Sequence, residues 1–143
     1  LIIRVLRSLD RYSVNAVELL LGTAAQESRF GYYIRQLGKG PALGIFQMEP
    51  ATFRDILSNY LNYKPALAQK VLRMAGTKDL KAEYLEYNLV VAIAFVRIHY
   101  LRVSESIPVT LDGYARYWKK YYNTHLGKGT EEEFIINYKK YVL

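Results

Sequence analysis

A single glutamate at the end of an apolar stretch is the strongest candidate for chemistry in this sequence. Glu27 follows Leu20, Thr23 and Ala24 at spacings that place all three beside it on one helical face. Partial burial and the negative end of the helix dipole both disfavour its ionised form, so we expect a raised pKa. A carboxyl group that stays protonated near neutral pH can act as a general acid. On position alone, a solvated helix-end residue paired with Arg29 is the simpler interpretation.

The loop over residues 44–52 is expected to face Glu27. Its leading glycine permits close approach of a ligand, and the Gln47 amide can both donate and accept hydrogen bonds. Phe46 and Met48 add apolar faces, although packing in the core accounts for these two residues equally well. The loop therefore suits a wall that binds a sugar, with Gln47 as the best candidate contact.

Two motifs in the N-terminal half of the chain carry a resemblance to a known family. Residues 27–30 read Glu-Ser-Arg-Phe, and residues 44–52 read Gly-Ile-Phe-Gln-Met-Glu-Pro-Ala-Thr. This stretch resembles the catalytic segment of the soluble lytic transglycosylases, lysozyme-like enzymes that cleave bacterial peptidoglycan. In that family a helix ends in Glu-Ser-x-Phe, and a Gly-Leu-Met-Gln-Ile-x-Pro-x-Thr motif follows. The first motif matches in full, and the second matches with conservative apolar replacements.

The resemblance extends, through less specific motifs at residues 88–96, as far as Tyr114, and so covers roughly residues 14–118. It implies a lysozyme-like orthogonal helical bundle with a substrate groove between two helical lobes. It also implies that Glu27 is the catalytic acid of a phage endolysin, a phage tail-associated lysin or a bacterial enzyme. The candidate substrate-binding residues are Ser28, Phe46, Gln47, Met48, Tyr114 and Tyr122.

The sequence departs from the family pattern at two supporting positions. Alanine follows Tyr114 where the family has asparagine, whereas Tyr122 is followed by an asparagine. Either tyrosine could therefore point at Glu27. The family's serine that supports the catalytic carboxyl has no clear counterpart, since Gln36 or Gly38 stands near its place, and the supporting hydrogen bond stays unassigned.

The sequence is compatible with two enzymatic mechanisms and with one non-catalytic binding role. In a lytic transglycosylase Glu27 alone protonates the glycosidic oxygen between N-acetylmuramic acid and N-acetylglucosamine, then deprotonates the C6 hydroxyl to give a 1,6-anhydro product. A hydrolytic muramidase needs a second carboxylate, at about 5–5.5 or 6.5–9.5 Å from the first. The third possibility is a non-catalytic wall-binding or phage structural module, which has no use for a desolvated acid. The candidates for a second carboxylate are Glu49, Asp55, Glu83, Glu86 and Asp112.

Net charge narrows the choice of partner. The chain has 20 lysines and arginines against 13 acidic residues, which gives +7, a pI near 9.5 and a preference for anionic partners. The basic residues are scattered without a nucleic-acid motif, so we expect peptidoglycan glycan strands as the partner and no nucleic acid. We expect a monomer that acts on the cell wall, in the periplasm of a bacterial host or carried in a phage particle; the sequence does not give its export route.

Other residue types argue against metal and membrane chemistry. Cysteine is absent, and His99 and His125 lie far apart without metal-ligand spacing, so we expect no metal and no cofactor. The longest apolar run, Leu89–Val96, is far shorter than the about 20 residues of a membrane span. It indicates a buried helix and no stable membrane insertion.

Helical periodicity predicts a mainly α fold, a single domain over residues 1–143 with roughly seven or eight short helices. Ser13 is the expected N-cap of a helix that ends near Ser28 and carries Glu27 in its last turn. A turn-rich loop over residues 29–43 then returns the chain toward this helix. The buried stripe of the helix is expected at Val14, Val17, Leu21 and Ala24.

Terminal residues locate the other helices. Pro50 and Pro65 each suit a first helical turn, and Gly76 suits a C-terminal cap. Thr130 and Glu133 form a capping box for the last helix. The segment from 88 is the most apolar, and its buried face is expected at Leu89, Ala92, Ile93 and Val96. The predicted helices cover residues 51–61, 65–76, 88–102, 111–122 and a final helix after Thr130.

Overall fold

A computed structural model describes residues 1–32 and 40–143, and within these ranges the protein is mainly helical without strands. The predicted mainly α class is confirmed. The expectations about Gln36 and Gly38, and most of the loop predicted at 29–43, lie outside the described residues. The helices are α1 (Ile2–Ser8), α2 (Val14–Ser28), α3 (Pro50–Asn59), α4 (Pro65–Ala75), α5 (Tyr84–Tyr87), α6 (Leu89–Leu101), α7 (Leu111–Trp118) and α8 (Glu131–Tyr141).

Local capping chemistry fixes most helix boundaries, as predicted. The Ser13 hydroxyl accepts a hydrogen bond from a backbone N–H in the first turn of α2, and Thr130 does the same for α8. Pro50 and Pro65 occupy the first turns of α3 and α4, and Gly76 ends α4 in the left-handed conformation at φ 70°. These predicted helix ends are therefore confirmed. They could be predicted from the sequence because each depends on residues within one turn of the helix end.

The buried face of α2 differs from the predicted stripe. Val14 is 62% exposed, and Val17 and Leu21 are only partly buried, whereas Leu19 and Leu20 are fully buried. Helix α2 contacts α1, α6, α7 and α8, so neighbours on several sides, rather than one core face, decide which residues are covered. The buried residues of α2 are Ala16, Leu19, Leu20, Gly22, Thr23, Ala24, Ala25 and Ser28.

Helix α6 is the central helix, as its composition predicts. Residues 91–98 are buried without interruption, because α1, α2, α3, α4 and α5 all contact this helix. Its first residue, Leu89, remains 43% exposed and does not belong to the buried face that the sequence predicts. Buried Arg97 donates a hydrogen bond from Nε to the carbonyl of Arg11 at 3.1 Å, which joins α6 to the segment after α1.

Helix α7 is shorter than the predicted segment 111–122. Its α-helical hydrogen bonding ends at Trp118 and gives way to a π-helical turn over Lys119–Asn123. The turn closes at Thr124, whose φ of 65° and ψ of 177° form a combination that residues other than glycine rarely adopt. Wider turns of this kind often occur at functional sites.

The core joins the helices through large aromatic side chains. The Trp118 and Phe134 rings lie 5.4 Å apart and are completely buried, so that α8 is attached to the end of α7. Gly22 of α2 allows α8 to approach closely, since a Cβ atom there would lie 2.3 Å from the Phe134 ring. None of the helices in the described ranges is long and apolar enough to cross a membrane.

Replacing the buried ring on α8 is expected to destabilise the fold strongly. Phe134→Ala removes the ring between Gly22 and Trp118, which should lower the free energy of unfolding by about 3–5 kcal/mol. Ile136→Ala, on the same helix but 63% exposed, is the matched control and should cost about 0.5 kcal/mol or less. Denaturant unfolding followed by circular dichroism measures both; equal effects would contradict the packing described here.

Candidate active site

A cleft of about 860 Å³ opens beside the end of α2. Its walls come from Glu27, from the segment 42–52, from the end of α6 and from the π-helical turn with the loop that follows it. The volume lies within the range of small-ligand sites. The lining residues are Glu27, Ala42, Gln47, Met48, Glu49, Thr52, His99, Tyr121, Tyr122, Asn123, Thr124, Leu126, Gly127 and Lys128.

Glu27 lies in the last turn of α2, and Arg29, the C-cap residue that follows this helix, is in the left-handed conformation. The Trp118 indole N–H donates a hydrogen bond to Glu27 Oε2 at 3.0 Å. Burial raises the Glu27 pKa to about 7, and the hydrogen bond from Trp118 offsets part of this effect by stabilising the carboxylate. Among the described residues Glu27 forms no ion pair. The predicted rise in pKa is therefore confirmed, with burial as its main cause.

A tight turn forms the wall that the sequence predicts around Gln47. Leu43 and Met48 pair as an antiparallel bridge, with N–O distances of 3.0 and 3.2 Å. Gly44, at φ 79°, is required there because a Cβ atom would lie 1.8 Å from the Leu85 carbonyl oxygen. Gln47 Nε2 donates to the Gly44 carbonyl at 2.9 Å, which holds the side chain within the turn. Gln47 and Met48 both line the cleft, as predicted.

Phe46 and Ser28 do not line the cleft, and the prediction that they contact substrate needs correction. The Phe46 ring is 2% exposed and belongs to the core. The buried Ser28 hydroxyl donates to the Ile45 carbonyl at 2.5 Å and accepts from the Gly31 N–H at 2.9 Å. Ser28 instead attaches the turn that carries Gln47 to the end of α2, and the Phe46 ring packs that turn into the core.

Of the two candidate tyrosines, only Tyr122 lies in the cleft with Glu27. Its hydroxyl donates to the Phe46 carbonyl at 2.6 Å, which joins the π-helical turn to the opposite wall. Burial, and after it the negative charge of Glu27, raises the Tyr122 pKa well above its ordinary value. Tyr114 is 2% exposed and donates to Glu18 Oε2 at 2.6 Å, so its predicted place facing Glu27 is wrong.

The structure adds two functional candidates that sequence reasoning missed. Trp118 is the hydrogen-bond donor to Glu27, and the only sign of it in the sequence is that it is the single tryptophan of the chain. His99 lines the cleft from the end of α6, and its Nε2 lies 2.9 Å from the carbonyl oxygen of Tyr121. The edge-to-face contact of His99 with Tyr122, at 5.1 Å between ring centroids, connects it to the same wall. The sequence gives no functional assignment for His99, and the structure places it on the wall of the cleft.

A second carboxylate is present on the cleft wall, although its surroundings differ from those of Glu27. Glu49 is exposed at the start of α3 and lines the cleft. Asp55 lies in an adjoining hollow, where it pairs with Arg102 at 2.9 Å. The other three candidates, Glu83, Glu86 and Asp112, are not among the residues that line the cleft. The described residues contain no group of three or more His, Cys, Asp or Glu side chains that could hold a metal ion.

Comparisons of the chain with models of protein families, with curated proteins and with solved structures found no match. The chemistry of the cleft is therefore the guide to function. In that cleft one enclosed carboxyl group with a raised pKa faces a turn with a polar amide and a wall of aromatic rings.

Replacing the Glu27 carboxyl group is expected to change stability in a pH-dependent way. The free energy of unfolding includes a contribution from protonated Glu27. This contribution is fully present below pH 4.5, the ordinary pKa of glutamate, and is lost as the pH rises through about 7. Glu27→Gln carries no charge at either pH, whereas wild type loses stability as Glu27 ionises. Between pH 4 and pH 8, the free energy of unfolding of the variant should therefore rise by about 3 kcal/mol relative to that of wild type. Denaturant unfolding at both pH values measures this difference; the same relative stability at both would contradict the burial of Glu27.

Proposed function

We propose that this protein is a peptidoglycan lytic transglycosylase with a lysozyme-like helical fold, in which Glu27 acts first as general acid and then as general base. The observation that carries the proposal is the single enclosed carboxyl group on the cleft wall, with a pKa of about 7. A group with this pKa is available in both protonation states near neutral pH, as a residue that donates and then accepts a proton must be. The resemblance of residues 27–30 and 44–52 to the family motifs supports the same assignment.

The first step breaks the bond between N-acetylmuramic acid and N-acetylglucosamine. Protonated Glu27 donates its proton to the oxygen that joins C1 of the muramic residue to C4 of the glucosamine. The C1–O bond breaks, and the glucosamine leaves as an alcohol. The acetamido oxygen of the muramic residue bonds to C1 and stabilises the positive charge that develops there. This step requires one acid and no metal or cofactor.

The second step closes the anhydro ring. Ionised Glu27 takes the proton of the muramic C6 hydroxyl, and the C6 oxygen attacks C1 and displaces the acetamido oxygen. The product is a 1,6-anhydro sugar, and Glu27 is protonated again for the next cycle. The Trp118 N–H supports this step, because its hydrogen bond stabilises the carboxylate form that Glu27 takes between the two proton transfers.

Other features of the cleft support a carbohydrate polymer as the substrate. Tyr122 gives aromatic surface, and the amide of Gln47 lies in the wall of the same cleft, beside the nearly buried Met48. Exposed Lys128, which also lines the cleft, and the net charge of +7 favour an anionic wall polymer over long distances. We further propose that the protein acts as a monomer on the glycan strands of the cell wall, as an enzyme of a phage or of a bacterium.

A hydrolytic muramidase is the second candidate, and the position of Glu49 favours it. Glu49 lines the cleft that contains Glu27, so it could activate a water molecule or stabilise the cationic centre. Its exposure argues for the first candidate, because solvent weakens the electrostatic support that a second catalytic carboxylate provides. The two candidates differ in the product that they release.

Substitution of Glu27 combined with product analysis tests the proposal. Glu27→Gln keeps the shape of the side chain but cannot donate the acid proton, so release of fragments from purified peptidoglycan should fall by about 10²-fold or more. Glu49→Gln, the matched control on the same cleft, should keep most of the activity. Mass spectrometry of the wild-type products should find 1,6-anhydro ends. Full activity of Glu27→Gln would exclude the mechanism, whereas reducing ends together with an inactive Glu49→Gln would favour the muramidase.

A further inference from the structure

A second hollow, which the proposed reaction does not use, adjoins the cleft. This hollow has a volume of about 530 Å³ and is more open than the cleft. Thr52, His99 and Tyr121 line both depressions, so the two adjoin, and together they are called the groove. Beyond these shared residues the hollow is lined by Asp55 and Arg102, two charged side chains. A branch of a ligand in the cleft would therefore meet these two charged side chains on the far side of His99.

The guanidinium group of Arg102 is held in place and keeps hydrogen-bond donors available. One nitrogen, NH1, donates to Asp55 Oδ2 at 2.9 Å, and the group lies 5.7 Å from the centre of the Tyr60 ring. Asp55 is held in turn by Asn59, whose amide donates to Oδ1 at 2.6 Å. A guanidinium group has five N–H donors, and the others have no partner among the described residues. Arg102 can therefore bind a carboxylate without leaving Asp55.

His99 presents a hydrogen-bond acceptor at the junction of the two depressions. A carbonyl oxygen can only accept, so Nε2 of His99 carries the proton in its contact with Tyr121. Burial lowers the His99 pKa and keeps the ring neutral, which makes Nδ1 an acceptor. Nδ1 has no hydrogen-bond partner among the described residues. Every buried side-chain nitrogen in those residues does have a partner, so Nδ1 is accessible from the groove that His99 lines. An acceptor without a proton suits an amide N–H.

We propose that the hollow beyond His99 is a subsite for the peptide branch of the glycan strand, with His99 accepting a peptide N–H and Arg102 binding a peptide carboxylate. The proposal rests on the proposed function, since the peptide is attached to the sugar that Glu27 cleaves. The ion pair of Arg102 with Asp55 has no net charge, so charge alone does not attract a small free anion to the hollow. A peptide gains from the amide acceptor and the carboxylate donors together. The occupant is therefore a peptide that carries at least one free carboxylate.

Glycan strands with and without peptide branches test this subsite. Uncrosslinked strands serve as one substrate, and the same strands after removal of the peptides by an amidase serve as the other. Arg102→Met removes the donors but keeps much of the side-chain length, and kcat/KM on the branched strands should fall about tenfold, the effect of losing a hydrogen bond to a charged group. On bare strands it should stay within about twofold of wild type. Arg73→Met, an exposed arginine on α4 outside the groove, is the control for the loss of charge and should match wild type on both substrates.

Each outcome separates the subsite from the reaction. Equal losses on branched and bare strands, or no loss on either, would overturn the subsite while leaving the proposed function in place. If wild-type protein cleaves neither substrate, the proposed function fails. The subsite is then decided by binding to the Glu27→Gln protein, which should hold branched strands more tightly than bare ones only while Arg102 is present. Thermal melting of Arg102→Met should match wild type, because the ion pair with Asp55 is solvent-exposed.

Discussion

Enclosure of one carboxyl group at the end of α2 is the constraint on which the site depends. Glu27 is surrounded well enough that its pKa rises to about 7, yet it faces a cleft that a ligand can enter. The Trp118 N–H lowers the energetic cost of burying this carboxyl group, because it donates a hydrogen bond to one carboxyl oxygen in either protonation state. Ionisation of Glu27 in this enclosed place lowers the stability of the fold.

The rest of the fold holds the two sides of the cleft around this carboxyl group. The hydroxyl of Ser28 attaches the turn that carries Gln47 to the end of α2, and Tyr122 attaches the π-helical turn to the carbonyl of Phe46. Behind them, the packing of Trp118 against α8 sets the position of the indole N–H. Both hydrogen bonds are partly buried and accept at backbone carbonyls, so the two walls of the cleft are fixed to the backbone. Fixed placement of polar groups lowers the reorganisation that a proton transfer requires.

The sequence predicts features that depend on nearby residues and misses those that depend on distant ones. The caps at Ser13 and Thr130 follow from one helix turn, and the structure confirms them. The raised pKa of Glu27 is predicted from its apolar neighbours on α2, and the burial that causes it is completed by residues that are distant in sequence. Trp118 lies 91 residues from its acceptor, so no local pattern connects the two. The choice between the two candidate tyrosines depends on the π-helical turn over Lys119–Asn123, which contains Tyr122 and which α-helical periodicity does not reveal.

The most direct test of the account is a pH titration of the Glu27 carboxyl carbon by nuclear magnetic resonance. The folded protein is labelled at glutamate side chains, and Glu27→Gln identifies the signal by its loss. The enclosed carboxyl group described here should titrate with a pKa of about 7. A midpoint near 4.5, the ordinary value for glutamate, would mean that the group is solvated and would contradict its role as the acid.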